Sequence, residues 1–223
     1  MRGSEYEHSP MKRRLDYTLY LVTDSNLAGG RELESIVRQA VRGGVTVVQL
    51  REKDLSSRDF FCLALQLRAV TDSLGIPLII NDRPDIARAS GAAGVHLGQD
   101  DLPCRVVRSI VGPDMVIGVS VSTVEEATEA EADGADYLGV SPIFQTATKT
   151  DTPGATGLDG LQKIRRAANI PLVAIGGMNA GNAGDAVRSG ADGIAVVSAI
   201  MAARDPEASA RELLSAIRRG STG

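Results

Sequence analysis

Short apolar segments alternate with amphipathic segments along this 223-residue chain, eight of each, and the alternation predicts an α/β fold. Eight β/α units with no linker and no break in composition favour a single (β/α)8 TIM barrel. A doubly wound open sheet is the structural alternative, but no G-x-G-x-x-G motif follows the first apolar segment. We expect residues 15–223 to form one catalytic barrel domain. Residues 1–14 are polar and without periodicity, which predicts a flexible N-terminal tail.

The strands are assigned to apolar, mostly β-branched runs of the kind found in parallel sheets that are buried on both faces. In chain order they are Thr18–Thr23, Val45–Leu50, Pro77–Ile80, Gly94–Leu97, Val116–Val119, Tyr137–Val140, Pro171–Ile175 and Gly193–Val197. The helices are assigned to the amphipathic stretches between them. They are roughly Arg31–Arg42, Ser57–Leu74, Asp85–Ala89, Cys104–Ile110, Thr123–Asp133, Leu158–Ala167, Asn182–Ser189 and Pro206–Arg219.

The last helix carries end signals on both sides. Asp205 is placed to cap its N-terminus, and Pro206 suits the first helical position. Arg218 and Arg219 suit the negative end of the helix dipole, and Gly220 is expected just beyond the last turn. Glycine and alanine also precede several strands, as tight helix-to-strand turns require, at positions 43–44, 75, 91, 134–135 and 190–191.

Composition excludes several classes of partner. The chain has 24 basic and 28 acidic residues, a net charge of −4, so no global field attracts nucleic acid or an anionic membrane. No apolar run approaches the roughly 20 residues of a membrane span, and the N-terminus lacks an apolar signal core. Cys62 and Cys104 lack metal-site spacing, which predicts reduced thiols and a cytoplasmic protein. Small-molecule substrates are the expected partners, and the sequence is compatible with a homo-oligomer.

The second strand ends in charged residues. Side chains alternate along a strand, so Gln49, Arg51 and Lys53 share one face, and two cations reach one mouth of the core. That arrangement predicts an anion site, although a merely solvated strand end is the simpler alternative. In (β/α)8 barrels the chemistry lies at the C-terminal ends of the strands.

Other predicted strands also end in polar residues or glycine. Asp82 and Asp101 follow neighbouring strands, and their hard oxygens suit Mg²⁺ held together with waters and a substrate phosphate. Helix capping is the alternative for both, because Pro84 and Pro103 follow them closely. Together with the cations Arg51, Lys53 and Lys149, a metal suits a diphosphate better than a monophosphate.

A second phosphate region is expected across the mouth. Gly176–Gly177 and Val197–Ser198 follow strands seven and eight, the usual phosphate loops of such barrels. The turn Thr146-Ala147-Thr148 adds hydroxyls and backbone N–H groups. The segment 144–156 that contains it is our candidate for a mobile lid. His96 is expected to pack or to hydrogen-bond, and no Ser-His-Asp or Cys-His set is present.

These residues resemble the thiamine phosphate synthase family, over about residues 17 to 219. The matching stretches are Val48-Gln-Leu-Arg-Glu-Lys53, Ile80-Asn-Asp-Arg83, Gly94-Val-His-Leu-Gly-Gln-Asp-Asp101, Gly118-Val-Ser120, Gly139-Val-Ser-Pro-Ile-Phe144, Thr146-Ala-Thr-Lys149, Ala174-Ile-Gly-Gly177 and Val196-Val-Ser198. Gln145 departs from the pattern, because a proline is expected before the threonine turn. Each motif alone is weak, but the ordered set is specific.

The resemblance implies that the chain joins a hydroxymethylpyrimidine diphosphate to a thiazole phosphate, forming thiamine phosphate and pyrophosphate. The residues it implies for the pyrimidine diphosphate are Gln49, Leu50, Arg51, Glu52, Lys53, Asn81, Ser120 and Lys149. Those it implies for the thiazole phosphate are Thr146, Ala147, Thr148, Gly177, Val197 and Ser198. It implies Mg²⁺ on Asp82 and Asp101, with Asp82 the more direct ligand, and catalytic roles for Arg51, Lys53, Ser120 and Lys149.

Three other functions are weighed against this one. A thiazole tautomerase needs a proton-shuttling residue at the mouth, and only His96 offers one. A sugar-phosphate isomerase or epimerase needs an acid/base pair more than it needs cations for a diphosphate. A non-enzymatic sensor of phosphorylated metabolites would have no use for a complete set of cations and carboxylates. Turnover distinguishes the sensor from the enzymes.

Overall fold

The computed structural model describes residues 15–145 and 155–222 and confirms the predicted (β/α)8 barrel. Its eight strands pair in parallel and in sequence order, and β1 closes the barrel against β8. The strands are β1 Leu19–Val22, β2 Val47–Leu50, β3 Leu78–Asn81, β4 Gly94–Leu97, β5 Val116–Val121, β6 Tyr137–Val140, β7 Leu172–Ala174 and β8 Gly193–Val196. The predicted tail, residues 1–14, lies outside the described residues.

The helices follow the strands as predicted, with one addition. They are α1 Leu33–Arg42, α2 Ser57–Ser73, α3 Pro84–Ser90, α4 Cys104–Val111, α5 Val124–Ala132, α6 Gly157–Ala167, α7 Ala183–Arg188, α8 Ser198–Met201 and α9 Pro206–Ser221. The short helix α8 was not predicted, because four residues are too few to show helical periodicity.

The predicted start of the last helix is confirmed, and its predicted end is wrong. The Asp205 side chain accepts a hydrogen bond of 2.9 Å from the backbone N–H of Ala208, which caps α9. Gly220, however, lies inside α9, which continues to Ser221. A Cβ added to Gly220 would lie 2.6 Å from the carbonyl oxygen of Gly184 in α7. The glycine therefore serves a close helix–helix contact rather than a helix end.

Two hydrophobic cores follow from the alternation of side chains along the strands. The inner core fills the barrel, and its aromatic members are Tyr17, Tyr20 and Tyr137. The outer core lies between the strands and the helices. Strand β2 shows the split, because Val47 belongs to the inner core and Leu50 to the outer one.

No helix among the described residues is long and apolar enough to cross a membrane. Cys62 is exposed and Cys104 is buried, and neither forms a disulfide within the described part of the chain.

Candidate active site

A cavity of about 330 Å³ opens at the C-terminal ends of the strands. Side chains that point into the barrel form its floor, and the loops after the strands form its walls. On the side of strands β2 to β5 it is lined by Gln49, Arg51, Asn81, His96 and Ser120. Five predicted polar positions of these four strands therefore converge on one space, as the alternation of the strands required.

Arg51 is held at the rim by the loop that follows β1. Its backbone N–H donates a hydrogen bond of 3.2 Å to Oγ1 of Thr23, which is fully buried. Its guanidinium lies 3.7 Å from the carboxylate of Asp24, and both side chains are largely covered. For Arg51 this anchoring contradicts a merely solvated strand end, because its side chain lines the cavity, whereas Lys53 and Asp54 are exposed as that alternative expects.

Asp82 and Asp101, the two predicted metal ligands, contact each other after β3 and β4, and neither is among the residues that line the cavity. Burial, and then the hydrogen bond and charge of the Asp101 carboxyl, raise the pKa of Asp82 to about 6. Lys53 Nζ lies 3.8 Å from Asp82 Oδ2 and opposes that shift. The carboxyls of Asp82 and Asp101 repel each other when both are ionised, and Lys53 offsets that repulsion only in part. A divalent cation bound between them would remove the repulsion.

The helix-capping alternative does not explain these two residues. The residues at the N-terminal ends of α3 and α4 are Arg83 and Pro103, and neither helix receives a side-chain cap. Asp82 has a backbone φ of 62°, the only positive φ at a non-glycine residue within the described ranges. Such a conformation costs energy outside glycine and often marks a functional position. Asp101 also has a local role, since its Oδ2 accepts a 2.6 Å hydrogen bond from the Gly98 N–H.

Not every residue implied for the pyrimidine diphosphate faces the cavity with its side chain. Leu50 is fully buried in the outer core, so its side chain does not line the cavity. The carboxylate of Glu52 accepts a hydrogen bond from the Ser25 hydroxyl, and burial raises its pKa. Lys53 is more than half exposed beside Asp82. Of the predicted strand β2 cluster, Gln49 and Arg51 line the cavity itself.

The opposite wall is formed by the loops after β6, β7 and β8. Gly176 and Gly177 both have positive φ, at 96° and 66°, and they lie against the chain at 142–145. A Cβ on Gly177 would lie 2.8 Å from the Cβ of Phe144, so a side chain there would displace that loop. Val197 and Ser198 line the same wall where α8 begins. The glycines and the serine of the predicted phosphate cradle thus line the same cavity as Arg51.

Sequence reasoning missed two tyrosines and left His96 with an undefined role. Tyr20 and Tyr137 are almost completely buried, and their hydroxyls lie 2.9 Å apart. Gln49 Nε2 donates to Tyr20 at 2.8 Å, and His96 joins Tyr137 to Ser120 through bonds of 2.8 and 2.9 Å. The sequence signal that could have found this cluster is the alternation of side chains along each strand, because all five residues occupy inward-facing positions.

The predicted residues Thr146, Ala147, Thr148 and Lys149 lie outside the described residues, so their assignments stay predictions. The same holds for the centre of the predicted lid and for any effect of Gln145 on it. The described residues on either side of this segment are anchored. Phe144 N–H donates 3.0 Å to the Gly176 carbonyl, and Thr156 N–H donates 2.8 Å to the Pro142 carbonyl. Phe144 and Thr156 are therefore each bonded to a residue that lines the cavity.

Comparisons with known proteins agree with this architecture. Residues 19–200 match the TMP-TENI family, described as thiamine monophosphate synthase. A protein named thiamine-phosphate synthase from Syntrophomonas wolfei is 56% identical over 198 residues, which cover 89% of this chain and 95% of the relative. Another of that name from Ruminiclostridium cellulolyticum is 54% identical over 204 residues, covering 92% of this chain and 97% of the relative.

Solved structures lead to the same family. A thiamine phosphate pyrophosphorylase from Pyrococcus furiosus superimposes with a TM-score of 0.84 and 39% identity, covering 93% of this chain and 98% of the other. A 3-hexulose-6-phosphate synthase, at 18% identity and a TM-score of 0.68, shares the fold alone. The matched family covers every described strand and both walls of the cavity. The chain belongs to the thiamine monophosphate synthase family.

Proposed function

We propose that this chain catalyses thiamine phosphate synthesis, and that it joins 4-amino-2-methyl-5-(diphosphooxymethyl)pyrimidine to 4-methyl-5-(2-phosphooxyethyl)thiazole. The products are thiamine phosphate and pyrophosphate. One observation carries the proposal: Arg51, Asn81 and Ser120 line the same cavity as Gly177 and Ser198. Polar and cationic groups on one wall suit a diphosphate, and the glycine-rich wall suits a second phosphate.

The reaction needs stabilisation of a leaving group more than it needs a base. The aminopyrimidine ring spreads positive charge as its methylene–oxygen bond breaks, so negative charge accumulates on the departing pyrophosphate. Arg51 would meet that charge from the β2 rim, together with Lys53 and, by family resemblance, Lys149. The thiazole nitrogen would then attack the cationic methylene carbon, and its phosphate on the opposite wall would keep it in line.

The residues at the rim fit Mg²⁺. Two carboxyls in contact, Asp82 and Asp101, offer hard oxygen ligands and leave positions for waters and diphosphate oxygens. No group of three or more His, Cys, Asp or Glu suited to a metal occurs within residues 15–145 and 155–222, so a closed all-protein cage is not expected there. When bound, Mg²⁺ would neutralise charge on the diphosphate. Asp82 and Asp101 would hold that ion.

The decisive experiment measures pyrophosphate release from the two substrates with Mg²⁺ and with EDTA. Release that needs both substrates and the metal is the expected result. No release under any condition, with both ligands still bound in calorimetry, would overturn the proposal and favour a sensor. Conversion of the thiazole alone, without pyrophosphate, would favour the tautomerase.

A further inference from the structure

The hydrogen bonds between Gln49 and Ser120, two of them buried and two partly buried, form one continuous chain across the interior of the barrel. It runs from Gln49 through the hydroxyls of Tyr20 and Tyr137 to His96 Nδ1, and from His96 Nε2 to Ser120 Oγ. Each link measures between 2.8 and 2.9 Å. The chain joins residues of strands β1, β2, β4, β5 and β6. It therefore joins five of the eight strands through side chains that line the cavity.

The donor at the Gln49 end gives the chain a direction. Gln49 Nε2 can only donate, so Tyr20 accepts there, and a bond donated to Tyr137 is the arrangement that uses the hydrogen of the buried Tyr20 hydroxyl. By the same count, Tyr137 accepts from Tyr20 and donates to His96 Nδ1. An imidazole nitrogen that accepts carries no proton, so the proton of a neutral imidazole lies on Nε2. Nε2–H then donates to Ser120 Oγ.

We propose, on the basis of the function proposed above, that Gln49, Tyr20 and Tyr137 are positioning residues that hold His96 in its neutral Nε2–H form. The hydroxyl hydrogen of Ser120 is then available to a substrate acceptor in the cavity. If the hydrogen bonds ran in the reverse direction, Ser120 would donate its hydrogen to His96 and could only accept a hydrogen bond from the substrate. The direction of the chain thus decides whether Ser120 offers the substrate a donor.

The surrounding packing keeps the chain in place. Tyr137 fits because residue 118 is glycine: a Cβ there would lie 2.1 Å from the tyrosine ring. Gly139 leaves similar room for His96, with 3.0 Å between the constructed Cβ and Cε1. Burial also raises the pKa values of Tyr20 and Tyr137 far above their usual range, so both hydroxyls keep their hydrogens at neutral pH.

Nitrogen NMR of the full chain, labelled with ¹⁵N-histidine and free of substrate, tests the tautomer directly. The chain has only two histidines, His8 and His96, and a His8→Ala variant assigns the signals. For His96 at pH 8 we expect one protonated nitrogen, Nε2, and one unprotonated nitrogen, Nδ1. In Tyr137→Phe and in Tyr20→Phe the two signals should move toward each other, because the tautomer preference is relaxed.

Tyr17→Phe is the matched control. The Tyr17 ring stacks on Tyr137 with centroids 4.7 Å apart, but its hydroxyl is not a member of the chain. This variant should keep the His96 signals and the melting temperature of the wild type. A wild-type His96 protonated at Nδ1, or an unchanged spectrum in Tyr137→Phe, would overturn the proposal.

Turnover then tests the link to Ser120. Tyr137→Phe should lower kcat/KM about tenfold relative to Tyr17→Phe, roughly the worth of one neutral hydrogen bond. The double variant Tyr137→Phe/Ser120→Ala should have the same kcat/KM as Ser120→Ala alone. If Tyr137 had a merely structural role, the two losses would add. Full additivity would refute the positioning role. A wild-type chain with the expected NMR signals and no turnover would instead count against the proposed function, because the tautomer is measured without substrate.

Discussion

Replacement of Gly177 by alanine tests the placement of the second phosphate wall. The new Cβ would lie 2.8 Å from the Cβ of Phe144 and 2.9 Å from the carbonyl oxygen of Gln145. Carbon atoms prefer separations of roughly 3.5–4.0 Å, so the loop after β6 would have to move by about 1 Å. A misplacement of about 1 Å at a positioning element can cost on the order of 100-fold in rate. We therefore expect kcat/KM for the thiazole phosphate to fall by about 100-fold.

Gly75→Ala is the matched control, since it imposes the same backbone strain without the collision. Gly75 has a φ of 70°, close to the 66° of Gly177, and a Cβ there would meet no atom within 4 Å. Both variants should lose about 1–2 kcal/mol of unfolding free energy from the left-handed alanine. Each kcal/mol lost lowers the melting temperature of a domain of this size by roughly 2–4 °C, so both variants should have lower melting temperatures than the wild type. Only Gly177→Ala adds a packing cost, of about 1–3 kcal/mol if the loop resists.

The assay pairs thermal melts with steady-state kinetics in which the thiazole phosphate is varied at saturating pyrimidine diphosphate. Equal kinetics for the two variants would refute the reasoning, because the contact with residues 144 and 145 would then have no bearing on the site. A larger loss of stability in Gly177→Ala than in Gly75→Ala, without loss of rate, would show that the loop resists and that the thiazole phosphate binds elsewhere.

The other predictions concern single side chains. Lys149→Ala should lower kcat by on the order of 10²–10³, as loss of one oxyanion donor does, and a near wild-type kcat would contradict its assigned role. Ser120→Ala should be milder, and a loss as large as that of Lys149→Ala would mean that Ser120 does more than bind. Mg²⁺ should raise the melting temperature of the wild type but not of Asp82→Asn, whose asparagine tolerates the φ of 62°; an equal rise in both would remove Asp82 from the metal site. Asp205→Ala should cost about 1 kcal/mol, since its capping bond to Ala208 is lost, and an unchanged melting temperature would contradict that value.

The sequence alone determined the barrel and the general position of its site. Strand assignment succeeded because β-branched runs and their parity are local properties, and parity placed Gln49 and Arg51 in the cavity. The charged end of β2 and the carboxylates after β3 and β4 could be predicted for the same reason. Helix ends were less secure, as Gly220 shows, because a glycine that relieves a helix contact has the same sequence signature as one that ends a helix.

Only the tertiary structure decided how the polar groups of the interior are paired. Tyr20 and Tyr137 are 117 residues apart, and His96 meets Tyr137 across 41 residues. The periodicity of the sequence does not show which inward side chains lie at the same height along the barrel axis. That alignment is determined by barrel closure and by the stagger between strands. The direction of the chain from Gln49 to Ser120 depends on that alignment as well. The position of a residue along its strand determines whether its side chain faces inward or outward. The closure of the barrel determines which partner that side chain contacts.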